Sequence, residues 1–131
     1  MSRGVFELAS RYVEPSIKRA IALKLFEKKI PPIEISRRLE ISPSLTSRYV
    51  KGERGLFFDP TSIPELNLEL DALAEKIALG LVRGYELRLE IARIVLKALS
   101  SKKLCRLHKA VDNSVDPLGC DVCPSLFKTA S

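Results

Sequence analysis

The sequence has no run of apolar residues long enough to cross a membrane. Its longer apolar stretches, such as Ala20 to Phe26, are interrupted by charges, here Lys24, whereas a membrane-spanning helix needs about 20 mostly apolar residues. The first residues, Met1 to Glu7, also lack the continuous apolar core and the small-residue cleavage site of a secretory signal. These absences predict a cytoplasmic protein with no membrane partner.

The sequence also lacks the arrangements on which many enzyme sites depend. It contains a single histidine, no glycine-rich phosphate-binding loop, and no Ser-His-Asp order that a surrounding motif supports. We therefore expect that the protein is not an enzyme.

The excess of positive charge is confined to the first half of the chain. Residues 1–55 contain twelve Lys and Arg against six Asp and Glu, whereas the remaining residues contain ten of each, so the net charge of +6 belongs to the N-terminal part. A basic segment is typical of a polyanion binder, although it is also compatible with an ordinary solvated surface. A structural motif is needed to decide between the two.

Apolar residues recur at the period of an α-helix along most of the first 100 residues, and no strand pattern is evident. The predicted helices cover approximately residues 15–29, 32–40, 43–51, 64–82 and 85–100. The expected fold is all-α, with an N-terminal helix-turn-helix bundle, a helical hairpin and a small C-terminal Cys/His-rich tail. Because the connector around residues 56–64 shows no sustained period, we divide the chain into residues 1–58, 59–101 and 102–131.

The two helices of the predicted hairpin have more apolar surface than a hairpin alone can bury. The apolar face of the first consists of Leu66, Leu70, Leu73, Ile77 and Leu81. The apolar face of the second consists of Leu87, Ile91, Ile94, Val95 and Ala98. These faces either pack against the N-terminal helices or form the interface of a homodimer, and the sequence leaves both possibilities open.

Residues 32–52 have the layout of two short helices joined by a tight turn. Ser42 followed by Pro43 is typical of an N-cap and a first helical residue, and Gly52 is typical of a helix end. The side chains expected to be buried are Ile35, Ser36, Leu39, Ile41, Thr46 and Tyr49. The side chains expected to contact DNA are Arg37, Arg38, Ser42, Ser44, Ser47, Arg48, Lys51 and Arg54.

The second helix of this motif is suited to the major groove of DNA. We expect Arg48 to bind guanine through two hydrogen bonds, and the serines to donate to phosphates or base edges. Lys51, Arg54 and Lys28 are expected to contact phosphates, which position a protein without reading sequence. The alternative is an ordinary helical hairpin whose basic side is only solvated.

This region resembles the helix-turn-helix of archaeal transcriptional regulators related to the phage repressor (Cro, Xre) class. The resemblance is carried by Glu34-Ile-Ser-Arg-Arg-Leu-Glu at the start, Ser47-Arg-Tyr in the second helix and Gly52-Glu-Arg-Gly at the exit. It extends to residues 12–19 and more loosely to the tail. The resemblance implies sequence-specific binding to double-stranded DNA and a role as a transcription regulator.

The sequence departs from that class at two positions of the motif. Ser36 stands where the class usually has alanine, and Glu40 stands where its turn usually has glycine. If residue 40 needs a left-handed backbone, a glutamate there costs about 1 kcal/mol relative to glycine.

All three cysteines and the only histidine lie within one short segment of the tail, as Cys105, His108, Cys120 and Cys123. Two ligand pairs, each separated by two residues, fit a tetrahedral zinc site with three thiolates and one imidazole. An iron-sulfur cluster, a disulfide with a spare thiol, and chemically inert residues remain alternatives. Related archaeal regulators end in a similar knuckle, but many have a further upstream cysteine pair that this chain lacks.

Two other functions remain compatible with these observations. The first is a metal- or redox-sensing regulator, in which an iron-sulfur or zinc site in the tail controls DNA affinity. The second is a non-enzymatic helical interaction protein whose basic half binds RNA or a protein partner.

Overall fold

The computed structural model describes residues 5–100, and every regular element in this range is helical. The α-helices are α1 (Val5–Leu8), α2 (Glu14–Glu27), α3 (Pro32–Leu39), α4 (Pro43–Lys51), α5 (Pro64–Ala78) and α6 (Tyr85–Ser100). A π-helical segment (Ala9–Val13) joins α1 to α2, and a 3-10 turn (Pro60–Ser62) precedes α5. The predicted all-α fold is confirmed for this part of the chain. No helix within it is both long and apolar enough to cross a membrane.

The N-terminal helical stretch begins earlier than the sequence predicted. Instead of starting near Pro15, it runs from α1 through the π-helical segment into α2, where Pro15 lies in the first turn. Proline lacks an N–H to donate to the preceding turn, and the backbone widens just before it, so that the Glu14 N–H donates to the Ala9 carbonyl. The proline therefore marks a local change of helix type.

Four helices end with one residue in the left-handed conformation. These residues are Lys29 after α2, Glu40 after α3, Gly52 after α4 and Gly80 after α5. In each case the next residue's N–H bonds to a carbonyl five residues back, as in the Schellman motif. The turns that follow are short and fixed by the backbone, so each helix has a defined direction relative to the next.

The end of α5 corrects one prediction. The periodic pattern extended this helix to about Val82 and placed Leu81 in its buried stripe, but α5 ends at Ala78 and Leu81 is 67% exposed. Gly80 ends the helix because its left-handed conformation reverses the chain direction. Val82, which follows, is buried in place of Leu81.

The buried residues form one core in which α2 is the central helix. It contacts α3, α4, α5 and α6, and its own buried face includes Ile17, Ile21 and Leu25. The apolar faces of α5 and α6 are buried in this core, so they pack against the N-terminal helices of the same chain. Residues on both sides of the predicted boundary at residue 58 contribute to the core. Ion pairs from Lys24 to Asp71 and from Lys28 to Glu75 join α2 to α5.

Candidate nucleic-acid interface

Helices α3 and α4 pack against each other and against α2, and a three-residue turn, Glu40–Ser42, joins them. The interior of this unit is the one that the sequence predicted. The buried side chains are Ile35, Ser36, Leu39, Thr46 and Tyr49, while Ile41 is half-buried. Ser36 is held by a hydrogen bond from its Oγ to the Ile33 carbonyl, which satisfies its hydroxyl inside the core. The unit therefore consists of two short helices joined by a tight turn, as the sequence predicted.

Ser42 caps the start of α4, as the sequence predicted. Its Oγ accepts a hydrogen bond from the Leu45 N–H at 3.1 Å, and Pro43 occupies the first turn. The Thr46 Oγ1 donates to the Ser42 carbonyl. The Ser42 hydroxyl therefore already stabilises its own helix, and it orients the nine residues of α4.

One side of α4 is exposed and carries positive charge. Ser44, Arg48 and Lys51 are exposed at spacings of four and three residues, so they form one stripe, with the half-buried Ser47 beside it. The opposite side is buried through Thr46 and Tyr49. No acidic residue occurs in α4 itself.

Arg54 lies in the loop that follows α4 and is also exposed. Within residues 5–100, Arg48, Lys51 and Arg54 form no ion pair with a carboxylate. We call Ser44, Ser47, Arg48, Lys51 and Arg54 the basic face. Its cations are available to an external anion without first breaking an ion pair inside the described part of the protein.

The two arginines of α3 have different surroundings. The Arg37 side chain is 76% exposed and forms a 3.4 Å ion pair with Glu34. Arg38 is half-buried, and its Nη1 donates to the carbonyls of Ile77 and Ala78, both at 2.9 Å. These carbonyls belong to the last turn of α5, where the regular helical bonding ends, and the Ile77 carbonyl also accepts from the Gly80 N–H. Arg38 therefore joins α3 to α5, and the structure does not place it on the basic face.

The loop after α4 is packed closely against α2. Arg19 Nε donates to the Tyr49 carbonyl at 3.1 Å. A Cβ added to Gly55 would lie 2.7 Å from the Pro15 carbonyl oxygen and 2.8 Å from the Arg19 Cβ, closer than real Cβ atoms approach. Since Gly55 must be glycine for this contact, the loop that carries Arg54 is held in a fixed position.

Tyr49 lies beneath this loop. Burial raises the pKa of the Tyr49 phenol, the Arg54 charge acts in the opposite direction, and Glu14 raises it further. The influence of Arg54 on the Tyr49 pKa indicates that the arginine lies near the C-terminal end of α4. The phenol is neutral at physiological pH, as tyrosine already is at its ordinary pKa near 10, and the upward shift of the pKa keeps it so.

The backbone of Glu40 is left-handed, with φ of 57°. Such a backbone was expected if this turn resembles turns that have glycine at the same position. Its carboxylate accepts a hydrogen bond from the Gly84 N–H and forms a 3.4 Å ion pair with Arg88. Sequence reasoning did not find this contact because nothing in the local pattern relates residue 40 to a residue more than forty positions later. The contact gives a physical reason for glutamate at a strained position, since glycine could not join the turn to α6.

The predicted metal ligands Cys105, His108, Cys120 and Cys123 lie outside the described residues. Among residues 5–100, no group of three or more His, Cys, Asp or Glu side chains is arranged to hold a metal ion. The tail therefore stays a prediction from the sequence.

Comparisons with known proteins do not assign the chain to a family: no family model matches it, and neither a curated protein nor a solved structure does so. The resemblance to archaeal helix-turn-helix regulators therefore depends on the motif residues alone. What the structure adds is a small all-helical fold in which two short helices are joined by a three-residue turn.

Proposed function

We propose that this protein is a sequence-specific double-stranded-DNA-binding protein that regulates transcription without catalysing a reaction. The observation that carries the proposal is the basic face. Its cations lie on the exposed side of α4 and in the loop after it, and they form no ion pair within the described part of the chain.

The dimensions of α4 support this proposal. An α-helix with its side chains is about 10–12 Å across, and the major groove is about 12 Å wide, so the nine-residue α4 fits into it. In this arrangement Arg48 lies in the middle of the stripe and binds guanine through two hydrogen bonds, while Ser44 and Ser47 contact base edges or phosphates. Lys51 and Arg54, at the end of α4 and beyond it, contact phosphates.

Two of the predicted contact residues, Arg38 and Ser42, have a smaller part in this proposal. Arg38 is omitted because its guanidinium binds the last turn of α5. Ser42 is assigned the N-cap of α4, and Arg37, at the exposed side of α3, is assigned a phosphate contact that replaces its weak surface pair with Glu34.

The test is selection of bound sequences from a random pool of duplex DNA by the purified full-length chain. A defined motif supports the proposal, and two copies of the motif at a fixed spacing support a dimer. If no preferred sequence is recovered, and if the protein binds RNA of the same length equally well or better, the alternative function of a helical protein that binds RNA or a protein partner is favoured.

We further propose that two copies of the chain bind a palindromic site. Apart from Leu81, the apolar faces that first suggested a dimer are buried within one chain, so the proposal now depends on a surface around the α5–α6 connection. Large exposed apolar side chains lie there, at 46–68% exposure: Leu79, Leu81, Tyr85 and Leu89. We call them the hairpin patch.

The surroundings of the hairpin patch favour a second copy over another partner. Leu81 and Leu89 line a shallow groove whose other lining residues include Lys76, Glu86 and Arg93. A surface with charges of both signs around an apolar centre can complement itself across a two-fold axis. A palindromic operator requires such an axis.

The cysteine cluster is assigned zinc in this proposal, with Cys105, His108, Cys120 and Cys123 as ligands. The support is their spacing in the sequence and the preference of zinc for thiolate and imidazole donors. A metal- or redox-sensing site is the second candidate, and the absorption spectrum of the native protein distinguishes an iron-sulfur cluster from zinc.

A further inference from the structure

A cavity of about 440 Å³ lies between the π-helical segment, the end of α3 and α6. Buried apolar side chains from two helices line it, namely Leu39 of α3 and Leu87, Ile91 and Val95 of α6. Its volume is within the range of small-molecule sites, which extends from about 300 to 1,000 Å³. The backbone beside it is the π-helical stretch, a distortion that often occurs where a helix forms part of a functional site.

Two ion pairs from different elements lie around this cavity. Lys18 and Glu14 of α2 form one at 3.1 Å, and Arg88 of α6 and Glu40 of the turn form the other at 3.4 Å. All four residues line the cavity. Both pairs are partly exposed to solvent, so exchanging either partner for a charge on a ligand costs little.

We propose that this cavity binds a free amino acid with a bulky apolar side chain. The side chain occupies the apolar part of the cavity, the α-carboxylate binds Lys18 or Arg88, and the α-ammonium binds Glu14 or Glu40. A zwitterion matches the surroundings better than a simple anion or cation, because the cavity offers two charges of each sign in addition to its apolar lining.

The position of the cavity relates it to the proposed DNA interface. Leu39 is the last residue of α3, and Glu40 belongs to the turn that sets the direction of α4. A ligand that binds Arg88 or Glu40 changes the contact that joins this turn to α6. By linkage, an amino acid that alters DNA affinity has its own affinity altered by DNA to the same degree. This last step depends on the proposed function, whereas ligand binding itself does not.

The experiment is calorimetric titration of the full-length protein, without DNA, with L-leucine, L-methionine and L-phenylalanine. Glycine lacks the apolar body, while 4-methylpentanoate and 3-methylbutylamine keep the body and lack one charge. We expect at least one of the three amino acids to bind. The analogues of that amino acid that lack one charge, which for leucine are the two compounds above, should bind at least about tenfold more weakly, because each loses a charged hydrogen bond.

Two variants locate the site. Ala92 lines the cavity but is exposed, so Ala92→Trp fills the cavity without replacing a core residue and is expected to abolish binding. Lys18→Gln removes one cation at the surface and is expected to weaken binding of the amino acid while leaving binding of 3-methylbutylamine unchanged. Lys76→Gln, outside the cavity, is the control.

The proposal is overturned if none of the three amino acids binds, or if Ala92→Trp with a native circular dichroism spectrum still binds one with the original affinity. Unchanged binding by Lys18→Gln assigns the carboxylate to Arg88, and unchanged binding by both Lys18→Gln and Arg88→Gln overturns the assignment of the charges. Amino-acid binding by a protein that does not bind DNA supports the site and contradicts the proposed function, so the two failures are distinguishable.

Discussion

The carboxylate of Glu40, in the turn between α3 and α4, accepts a hydrogen bond from the backbone N–H of Gly84 at the start of α6. The turn of the helix-turn-helix is thereby fastened to the C-terminal helices by a residue with an unfavourable backbone conformation. The left-handed backbone destabilises the folded protein and the contact stabilises it. Substitutions at residue 40 can therefore measure the two effects separately.

Glu40→Ala removes the contact and keeps most of the left-handed strain. We expect the free energy of unfolding to fall by about 1–2 kcal/mol, toward the lower end for hydrogen bonds to charged groups because the carboxylate is partly exposed. Glu40→Gly also loses the contact but relieves about 1 kcal/mol of strain, so it should be more stable than Glu40→Ala by about that amount. Urea denaturation measures both. A Glu40→Gly protein more stable than the native one would show that the contact with Gly84 and Arg88 contributes little.

Gly55 and Gly80 provide a matched pair, because both have φ near +74° but only Gly55 is crowded. Gly80→Ala meets no atom within 4 Å, so it should cost only the left-handed strain of about 1 kcal/mol. Gly55→Ala should cost about 1–3 kcal/mol more, because its Cβ must displace the backbone of α2 or the loop. It should also weaken DNA binding by moving Arg54. Thermal unfolding and DNA titration test this, and equal stability of the two variants would contradict the close packing of the loop.

The hairpin patch is tested by Leu81→Asp combined with Leu89→Asp. Since charges at the centre of an apolar interface are costly, this protein should sediment as a monomer at concentrations where the native chain is a dimer. The control is Leu68→Asp, a substitution at a leucine of α5 that is 71% exposed and outside the patch. A native chain that is monomeric at micromolar concentration, or a dimer that the double substitution leaves intact, is the contrary result.

The tail is tested through its metal content. Cys120→Ser should release the zinc of the native protein and make the tail sensitive to protease, because binding free energy at a structural zinc site is largely folding free energy. The helix-turn-helix should keep its fold, since Ile35, Leu39 and Tyr49 are buried among helices α2 to α4. Elemental analysis and thiol titration are the measurements. Native protein purified without chelators that holds no zinc or iron, with three freely titratable thiols, would contradict the metal assignment.

The sequence predicted most where the determinants were local. Ser42, Pro43 and Gly52 set the ends of α4, and the helical spacing of apolar side chains in α3 and α4 predicted the buried set, except that Ile41 is half-buried. Helix α6 begins at the predicted residue, Tyr85. In these segments the hydrogen bonds and the periodic pattern involve neighbours in the chain.

The sequence predicted least where the determinants were distant. Leu81 continued the apolar period of α5, but the left-handed Gly80 ends the helix first and leaves that side chain exposed. From the sequence, Arg38 was expected to be a surface cation. In the structure its guanidinium donates to two carbonyls in the last turn of α5. The contact of Glu40 with α6 likewise joins elements whose proximity depends on the packing of the whole core.

The claim that α4 reads DNA sequence is tested most directly by comparing Arg48→Ala and Lys51→Ala on a selected duplex and on a scrambled one. Arg48→Ala should weaken binding to the selected duplex by about 1–3 kcal/mol and relax the preference at one base pair, with a smaller effect on scrambled DNA. Lys51→Ala should weaken both alike and reduce the slope of log affinity against log salt by about one. Lys97→Ala, on α6 and outside both the basic face and the hairpin patch, is the control and should change neither. If both α4 variants weaken the two duplexes equally, or if the native protein does not distinguish them, α4 does not read sequence.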